Sequence, residues 1–234
     1  ANDDSAIYKF TKDGKPVLTI GVAGPTGGSN DTTRLGRPAT LEVDEAAREL
    51  FVADGYGNRR VIVFDSETGA FKRYWGAYGN KPNDEKQAAY SPSAPPSQQF
   101  ANPVHCATLS RDGKVYVCDR TNNRIQVFRK DGTFETEWFY DRSTLGAGAV
   151  WGLAMWPDAS QTYMLNNDGE NNLVRILRRS DGKVVGGFGR SGRHAGDFHW
   201  VHAIAVDSNG NVYTGEVDNG KRVQKFKPTN GAPK

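Results

Sequence analysis

The residues of this chain best suited to holding a metal ion are His105 and His202. Each follows a valine at the start of an apolar run, in VHCATL and VHAIAV, so the two occupy one position in two similar segments. Imidazole nitrogens are common zinc ligands, and three of them leave a further position open for catalysis. The third histidine is expected in a repeat that precedes Ala1. Alternatively, both histidines are polar channel residues that bind only water.

Tyr56 and Arg120 could act beside such a metal, because each closely follows an aspartate that ends a predicted strand. A tyrosine near a metal can accept a substrate proton, and an arginine can bind a carboxylate through two parallel hydrogen bonds. Taken singly, they would be a turn aromatic and a surface cation. Other arginines recur where third strands begin, which predicts structural charge pairs instead. These are Arg60, Arg124 and Arg222.

Four copies of a strand-rich repeat must position these residues. Short β-branched and aromatic runs alternate with turns such as Asp112-Gly113. Four strands in about 40–50 residues is the period of β-propeller blades. The sequence therefore predicts an all-β fold, a β-propeller forming a single domain over residues 1–234. Blades are expected near residues 1–21 (partial), 37–76, 101–140, 148–190 and 198–228.

The number of blades and the position of the site follow from this pattern. Four nearly complete blades and one partial blade predict a six-bladed ring whose first blade is incomplete, with five blades as the alternative. First strands line the channel of a propeller, and the segments leading into them share a face with the turns between second and third strands. His105, His202, Tyr56 and Arg120 should therefore meet on one face. Zinc binding should be weak unless His199 or a neighbouring chain supplies a ligand.

Cys106 and Cys118 lie on neighbouring strands of one repeat. A two-residue turn at Asp112-Gly113 would place their side chains on opposite faces, because successive side chains of a strand alternate. Free thiols are then favoured. A three-residue loop would shift the register by one residue and reverse that conclusion.

Composition excludes two classes of partner. The net charge is +3 with mixed signs and no run of Lys or Arg, so no nucleic acid is expected. No stretch of 18 apolar residues occurs, so no membrane span is predicted. Residues 77–99 contain four prolines and form a long loop. That loop is either a tolerated surface insertion or a functional flap.

Four segments resemble a known family: LFVADGYGNRRVIVF, FANPVHCATLS, VCDRTNNRIQVF and FHWVHAIAVDSNGNVYTGE. They are similar to NHL repeats and, more closely, to the lyase domain of peptide-amidating enzymes, peptidyl-α-hydroxyglycine α-amidating lyase. The resemblance implies a six-bladed propeller with zinc held by three histidines. It also implies cleavage of a peptidyl-α-hydroxyglycine into a peptide amide and glyoxylate. By motif match His105 and His202 are zinc ligands, Tyr56 is the catalytic tyrosine and Arg120 is an active-site arginine.

The resemblance also shapes the expected cofactors, partners and location. Ala203 follows His202 where the family has a carboxylate that helps bind structural calcium, so calcium binding is doubtful here. The expected partner is a small peptide-like substrate, or a protein bound at the channel face. The alternative function is that of a non-catalytic NHL propeller, an extracellular binding or assembly scaffold. A secreted or periplasmic location is expected from the family.

Overall fold

The computed structural model describes residues 5–229, which are almost entirely strands and turns. The strands in this range are β1 (Ile7–Phe10), β2 (Pro16–Ile20), β3 (Thr40–Asp44), β4 (Glu49–Asp54), β5 (Arg60–Asp65), β6 (Phe71–Trp75), β7 (Val104–Leu109), β8 (Lys114–Asp119), β9 (Arg124–Arg129), β10 (Phe134–Phe139), β11 (Gly152–Met155), β12 (Tyr163–Asp168), β13 (Leu173–Arg178), β14 (Val184–Phe188), β15 (Val201–Val206), β16 (Val212–Glu216) and β17 (Val223–Phe226). Two short 3₁₀ turns cover Ala77–Gly79 and Arg120–Asn122. In the described range no helix is long and apolar enough to cross a membrane.

Consecutive strands pair antiparallel into separate sheets, and this arrangement confirms the β-propeller prediction. Blade 1 is β3–β6, blade 2 is β7–β10, blade 3 is β11–β14 and blade 4 is β15–β17. The pair β1–β2 forms a two-stranded sheet before blade 1. Residues 5–229 thus form four blades rather than six. The first strands of neighbouring blades contact one another, so they form the inner wall of the arc.

Apolar side chains hold neighbouring blades together. Phe51 and Val63 of blade 1 pack in one buried cluster with Val115, Val117 and Phe128 of blade 2. Comparable clusters join blade 2 to blade 3, and blade 3 to blade 4. Each fully buried side chain of this size contributes roughly 1.5–3 kcal/mol. The middle strands of blades 1 and 2 are buried almost throughout, which explains their continuous apolar and aromatic sequence.

An ion pair with a fully buried carboxylate closes the turn between the second and third strands of each blade. The paired atoms are 2.5–2.8 Å apart in Asp54–Arg60, Asp119–Arg124, Asp168–Arg175 and Glu216–Arg222. The predicted charge pairs of blades 1, 2 and 4 are confirmed, and Arg175 adds one that was not anticipated. Breaking a buried pair by removing one partner costs about 3–5 kcal/mol. These pairs fix the turns that carry Tyr56 and Arg120.

The preference for free thiols was wrong, because Cys106 and Cys118 form a disulfide between β7 and β8. The Ser110 N–H donates to the Lys114 carbonyl at 2.9 Å, which makes the connection a three-residue loop. Cys106 therefore pairs directly with Cys118, and both side chains point to the same face. The second of the two registers considered for the sequence is the one that forms.

Candidate metal and catalytic site

His105 occupies a β-bulge at the start of β7. Val104 pairs with Asp119 and Cys106 pairs with Cys118, which leaves His105 without a partner on β8. Bulges of this kind re-aim a side chain. The ring is buried, and its Nδ1–H donates to the Trp151 carbonyl in a short hydrogen bond. Since that nitrogen carries the proton, Nε2 presents its lone pair to the channel.

His202 occupies the matching bulge in β15, where Val201 pairs with Glu216 and Ala203 with Gly215. Its Nε2 lies 3.2 Å from Nε2 of His105, and the ring planes are 77° apart. Burial, assisted by the charge of Arg120 and the neighbouring His202, lowers the pKa of His105 to about 3. Burial and Arg120 also lower the pKa of His202. Both rings are therefore neutral at physiological pH, the state that a metal ligand requires.

Tyr56 completes a triangle of donor atoms with the two rings. Its Oη lies 2.9 Å from Nε2 of His105 and 3.4 Å from Nε2 of His202. The hydroxyl donates to His105, whose Nε2 has no hydrogen of its own. Ligands of a tetrahedral zinc at about 2.0–2.1 Å are separated by roughly 3.3 Å. The triangle therefore has the size expected of three atoms around one metal ion.

Arg120 forms the cationic side of this site. Its guanidinium lies 4.4 Å from the centre of the Trp151 ring system and 5.9 Å from that of Tyr56. Its Nε is buried and has no hydrogen-bond partner among the described residues. No carboxylate in residues 5–229 forms an ion pair with Arg120. A partly buried guanidinium of this kind is suited to bind a carboxylate of a substrate.

We use the term channel site for Tyr56, His105, Arg120, Trp151 and His202. The four residues singled out in the sequence thus lie together on one face, as expected, while their chemical roles stay predictions. Trp151 is not among the residues that the sequence pattern singles out. Its ring centroid lies 6.0 Å from His105 and 5.4 Å from His202, and it is fully buried. Both imidazole rings pack against the Trp151 ring.

His199 does not join the donor atoms of the channel site in this structure. Its ring stacks on Trp200 with centroids 6.5 Å apart, and its backbone N–H donates to Glu216. Trp200 in turn contacts Trp151 at 5.5 Å. Among residues 5–229 there is no cluster of three or more His, Cys, Asp or Glu side chains suited to a metal.

Comparisons with known proteins agree with this arrangement. The NHL repeat model matches residues 104–128. The chain is 28% identical over 236 residues to peptidyl-glycine alpha-amidating monooxygenase B of Xenopus laevis, covering 97% of the chain and 24% of that protein. It is 29% identical over 238 residues to human NHL repeat-containing protein 3, covering 96% of the chain and 59% of that protein. The chain therefore spans less than two thirds of either relative.

A solved structure supports the fold alone. Virginiamycin B lyase from Staphylococcus aureus superimposes with a TM-score of 0.58 at 16% identity, covering 99% of the chain and 66% of that protein. Together the comparisons establish that this chain carries an NHL repeat and is related in sequence to amidating monooxygenases and NHL repeat-containing protein 3.

Proposed function

We propose that this chain forms most of a metal-dependent lyase that cleaves a peptidyl-α-hydroxyglycine into a peptide amide and glyoxylate. The observation that carries the proposal is the convergence of Tyr56 Oη and the two Nε2 atoms within 2.9–3.4 Å of one another. The relation to amidating monooxygenases over 97% of the chain supports it. We propose further that the complete protein closes a six-bladed ring.

His105 and His202 fit a zinc ion through their neutral Nε2 atoms, and Tyr56 adds an oxygen donor beside them. The third histidine would come from a blade outside the described residues. A zinc ion bound there would polarise the substrate oxygen and make its proton easier to remove. Ala203, next to His202, provides no carboxylate, so the proposal includes no calcium.

The remaining chemistry falls to side chains of this chain. Arg120 would bind the carboxylate of the hydroxyglycine, which leaves later as the carboxylate of glyoxylate. The phenolic oxygen of Tyr56 would accept the proton of the substrate hydroxyl. The C–N bond would then break as the C=O bond of glyoxylate forms, and the departing amide nitrogen would take up the proton that Tyr56 accepted. Trp151 closes one side of the channel site and excludes water from it.

Glyoxylate release from benzoyl-α-hydroxyglycine, measured with the full-length protein and zinc, tests this function. We expect turnover that chelation abolishes and zinc restores. Tyr56→Phe should lower kcat by about 10²–10⁴-fold, the usual contribution of acid–base catalysis. Tyr213→Phe is the control, because it also removes a tyrosine hydroxyl, one that donates to Asp207 outside the channel site. No glyoxylate from the zinc-loaded protein, or equal rates in the two variants, would refute the proposal.

The relation to NHL repeat-containing protein 3 favours a second candidate, a propeller without catalysis that binds a partner at the channel face. The chain covers 59% of that relative but 24% of the amidating monooxygenase. Metal analysis of the full-length protein separates the two functions. A lyase should contain about one zinc per chain, whereas a scaffold should contain none and release no glyoxylate.

A secreted or periplasmic location is part of the proposal. The Cys106–Cys118 disulfide supports it, since disulfides persist in oxidising compartments and are rare in the cytosol. Thiol alkylation of the protein from intact cells, followed by mass spectrometry, should find both cysteines protected. Quantitative alkylation without reductant would argue for a reducing compartment.

A further inference from the structure

Three arginines around Tyr56 differ from most arginines of this chain. Within residues 5–229 the arginines at the blade turns form ion pairs with carboxylates, as Arg60 and Arg124 do. Arg37, Arg59 and Arg120 form none with a described carboxylate, and all three lie near one tyrosine. Arg37 donates to the Tyr56 carbonyl, and Arg120 lies over its ring. Tyr56 is therefore surrounded by guanidinium groups that form no ion pair with a described carboxylate.

Arg59 is held in place without a counter-ion. Its Nε donates to Asn102 Oδ1 at 2.9 Å, and its Nη1 donates to the Glu85 carbonyl at 2.7 Å. The Asn102 amide donates in turn to the carbonyls of Gly55 and Asn58, in the same turn as Tyr56. The second terminal nitrogen, Nη2, has no hydrogen bond to a described residue. The Arg59 guanidinium is thus fixed in position, and its Nη2 hydrogens can still be donated to a ligand.

This guanidinium lines a depression of about 230 Å³. The other walls include Asn102, Thr121, Gly146 and Tyr90, and no acidic side chain lines it. Tyr90 belongs to the long loop 77–99, and its hydroxyl donates to the Arg142 carbonyl at 2.7 Å. This hydrogen bond connects the loop to the segment after β10, and the loop supplies one wall of the depression.

The depression adjoins the channel site along the chain. Arg59 follows Tyr56 by three residues, and Thr121 follows Arg120 directly. Three residues span at most about 10–11 Å even when extended. An extended peptide whose reacting end lies at Tyr56 and Arg120, and which runs toward the depression, can therefore reach Arg59 with one of its preceding three residues.

We propose that this depression, the Arg59 site, binds the carboxylate of an aspartate or glutamate side chain in the substrate. That residue would lie one to three positions before the reacting hydroxyglycine. The inference rests on the proposed function for the reacting end of the substrate. The planar guanidinium donates from Nη2 to the carboxylate, while Arg37, which donates to the Tyr56 carbonyl, adds positive charge near the reacting end. The protein would then select acidic peptides.

Paired peptide substrates test the Arg59 site, with glutamate or glutamine at each of the three positions before the hydroxyglycine. We expect a kcat/KM about tenfold higher for glutamate at one position, the size typical of a hydrogen bond to a charged group. Arg59→Gln should reduce the glutamate-to-glutamine ratio to near one, and Arg59→Lys should restore part of it. Arg111→Gln is the matched control, because Arg111 also lacks a described carboxylate and donates to backbone carbonyls, those of Pro157 and Asp158.

A second measurement separates this site from the lyase function. Calorimetric binding of the same peptides, made with a plain C-terminal glycine, reports the preference without turnover. A glutamate preference in binding that Arg59→Gln removes supports the site even if no glyoxylate is released. Equal binding of both peptides at all three positions overturns the Arg59 site and leaves the lyase proposal intact. An equal loss in Arg111→Gln also overturns it.

Discussion

The first strands of the four blades are of two kinds, and they alternate. β7 and β15 each contain a bulge, and the bulged residue is a histidine. β3 pairs regularly from Thr40 onward, and β11 begins at Gly152, directly after Trp151; no register shift is found within either strand. Both kinds share the same repeat. The difference between them is one extra residue, which turns the imidazole toward the channel.

The regular strands support the bulged ones. Thr40 Oγ1 donates to the His105 carbonyl at 3.1 Å, and Glu42 of the same strand accepts from the Leu109 N–H at 3.0 Å. The Trp151 carbonyl accepts from Nδ1 of His105. The two blades on either side of blade 2 thus hold His105 in place, blade 1 through its backbone carbonyl and blade 3 through its ring. The channel site depends on both kinds of strand.

The largest expected effect follows replacement of Trp151, the residue directly before β11 whose ring contacts both imidazoles. Trp151→Ala should lower the free energy of unfolding by about 3–5 kcal/mol, because a large buried side chain is lost. It should also weaken zinc binding, since both rings lose their support. Urea denaturation and zinc titration measure the two effects.

Phe100→Ala is the control for Trp151→Ala, because Phe100 is equally buried but packs between blades 1 and 2. It should lose similar stability and keep its zinc affinity. Equal loss of zinc affinity in both variants would mean that Trp151 acts only through general stability.

The two bulged strands themselves differ in one covalent bond. β7 is joined to β8 by the Cys106–Cys118 disulfide, whereas blade 4 has Ala203 opposite Gly215 at the matching place. Replacing both cysteines by alanine should cost about 2–4 kcal/mol. Amide hydrogen exchange should be slower in β7 than in β15, and the difference should shrink in the double variant. Equal exchange in the native protein would contradict this.

Because Glu42 links β3 to β7, its ionisation should make the free energy of unfolding depend on pH. Burial raises the pKa of Glu42 from 4.5 to about 7, opposed by the Leu109 N–H. The folded state therefore binds more protons than the unfolded state between these two values, and stability falls as pH rises through that window. We expect a loss of about 1–3 kcal/mol, since each pH unit is worth about 1.4 kcal/mol and the side chain is partly solvated. Glu42→Gln should flatten this slope in urea denaturation curves at pH 4.5 to 7. An unchanged slope would mean that a group other than Glu42 causes the pH dependence.

The sequence alone predicts the propeller and the grouping of Tyr56, His105, Arg120 and His202, because the repeat fixes which strand and turn each residue occupies. It also predicts the Asp–Arg pairs, since they recur. The sequence does not predict the bulges, because one extra residue in a strand cannot be recognised among repeats that are only approximately alike. The disulfide depended on a loop of two or three residues, which Asp112-Gly113 does not decide. The repeat does not predict the blade count, since residues 5–229 form four blades rather than six.

Zinc titration of the full-length protein and three single variants tests most directly whether the two bulges build one metal site. His105→Ala and His202→Ala should each weaken zinc binding by a similar factor, at least about tenfold, since each removes one ligand of a shared ion. His199→Ala, a histidine outside the donor triangle, should bind zinc as the unmodified protein does. Undiminished zinc binding in either His105→Ala or His202→Ala would contradict a metal site shared between β7 and β15.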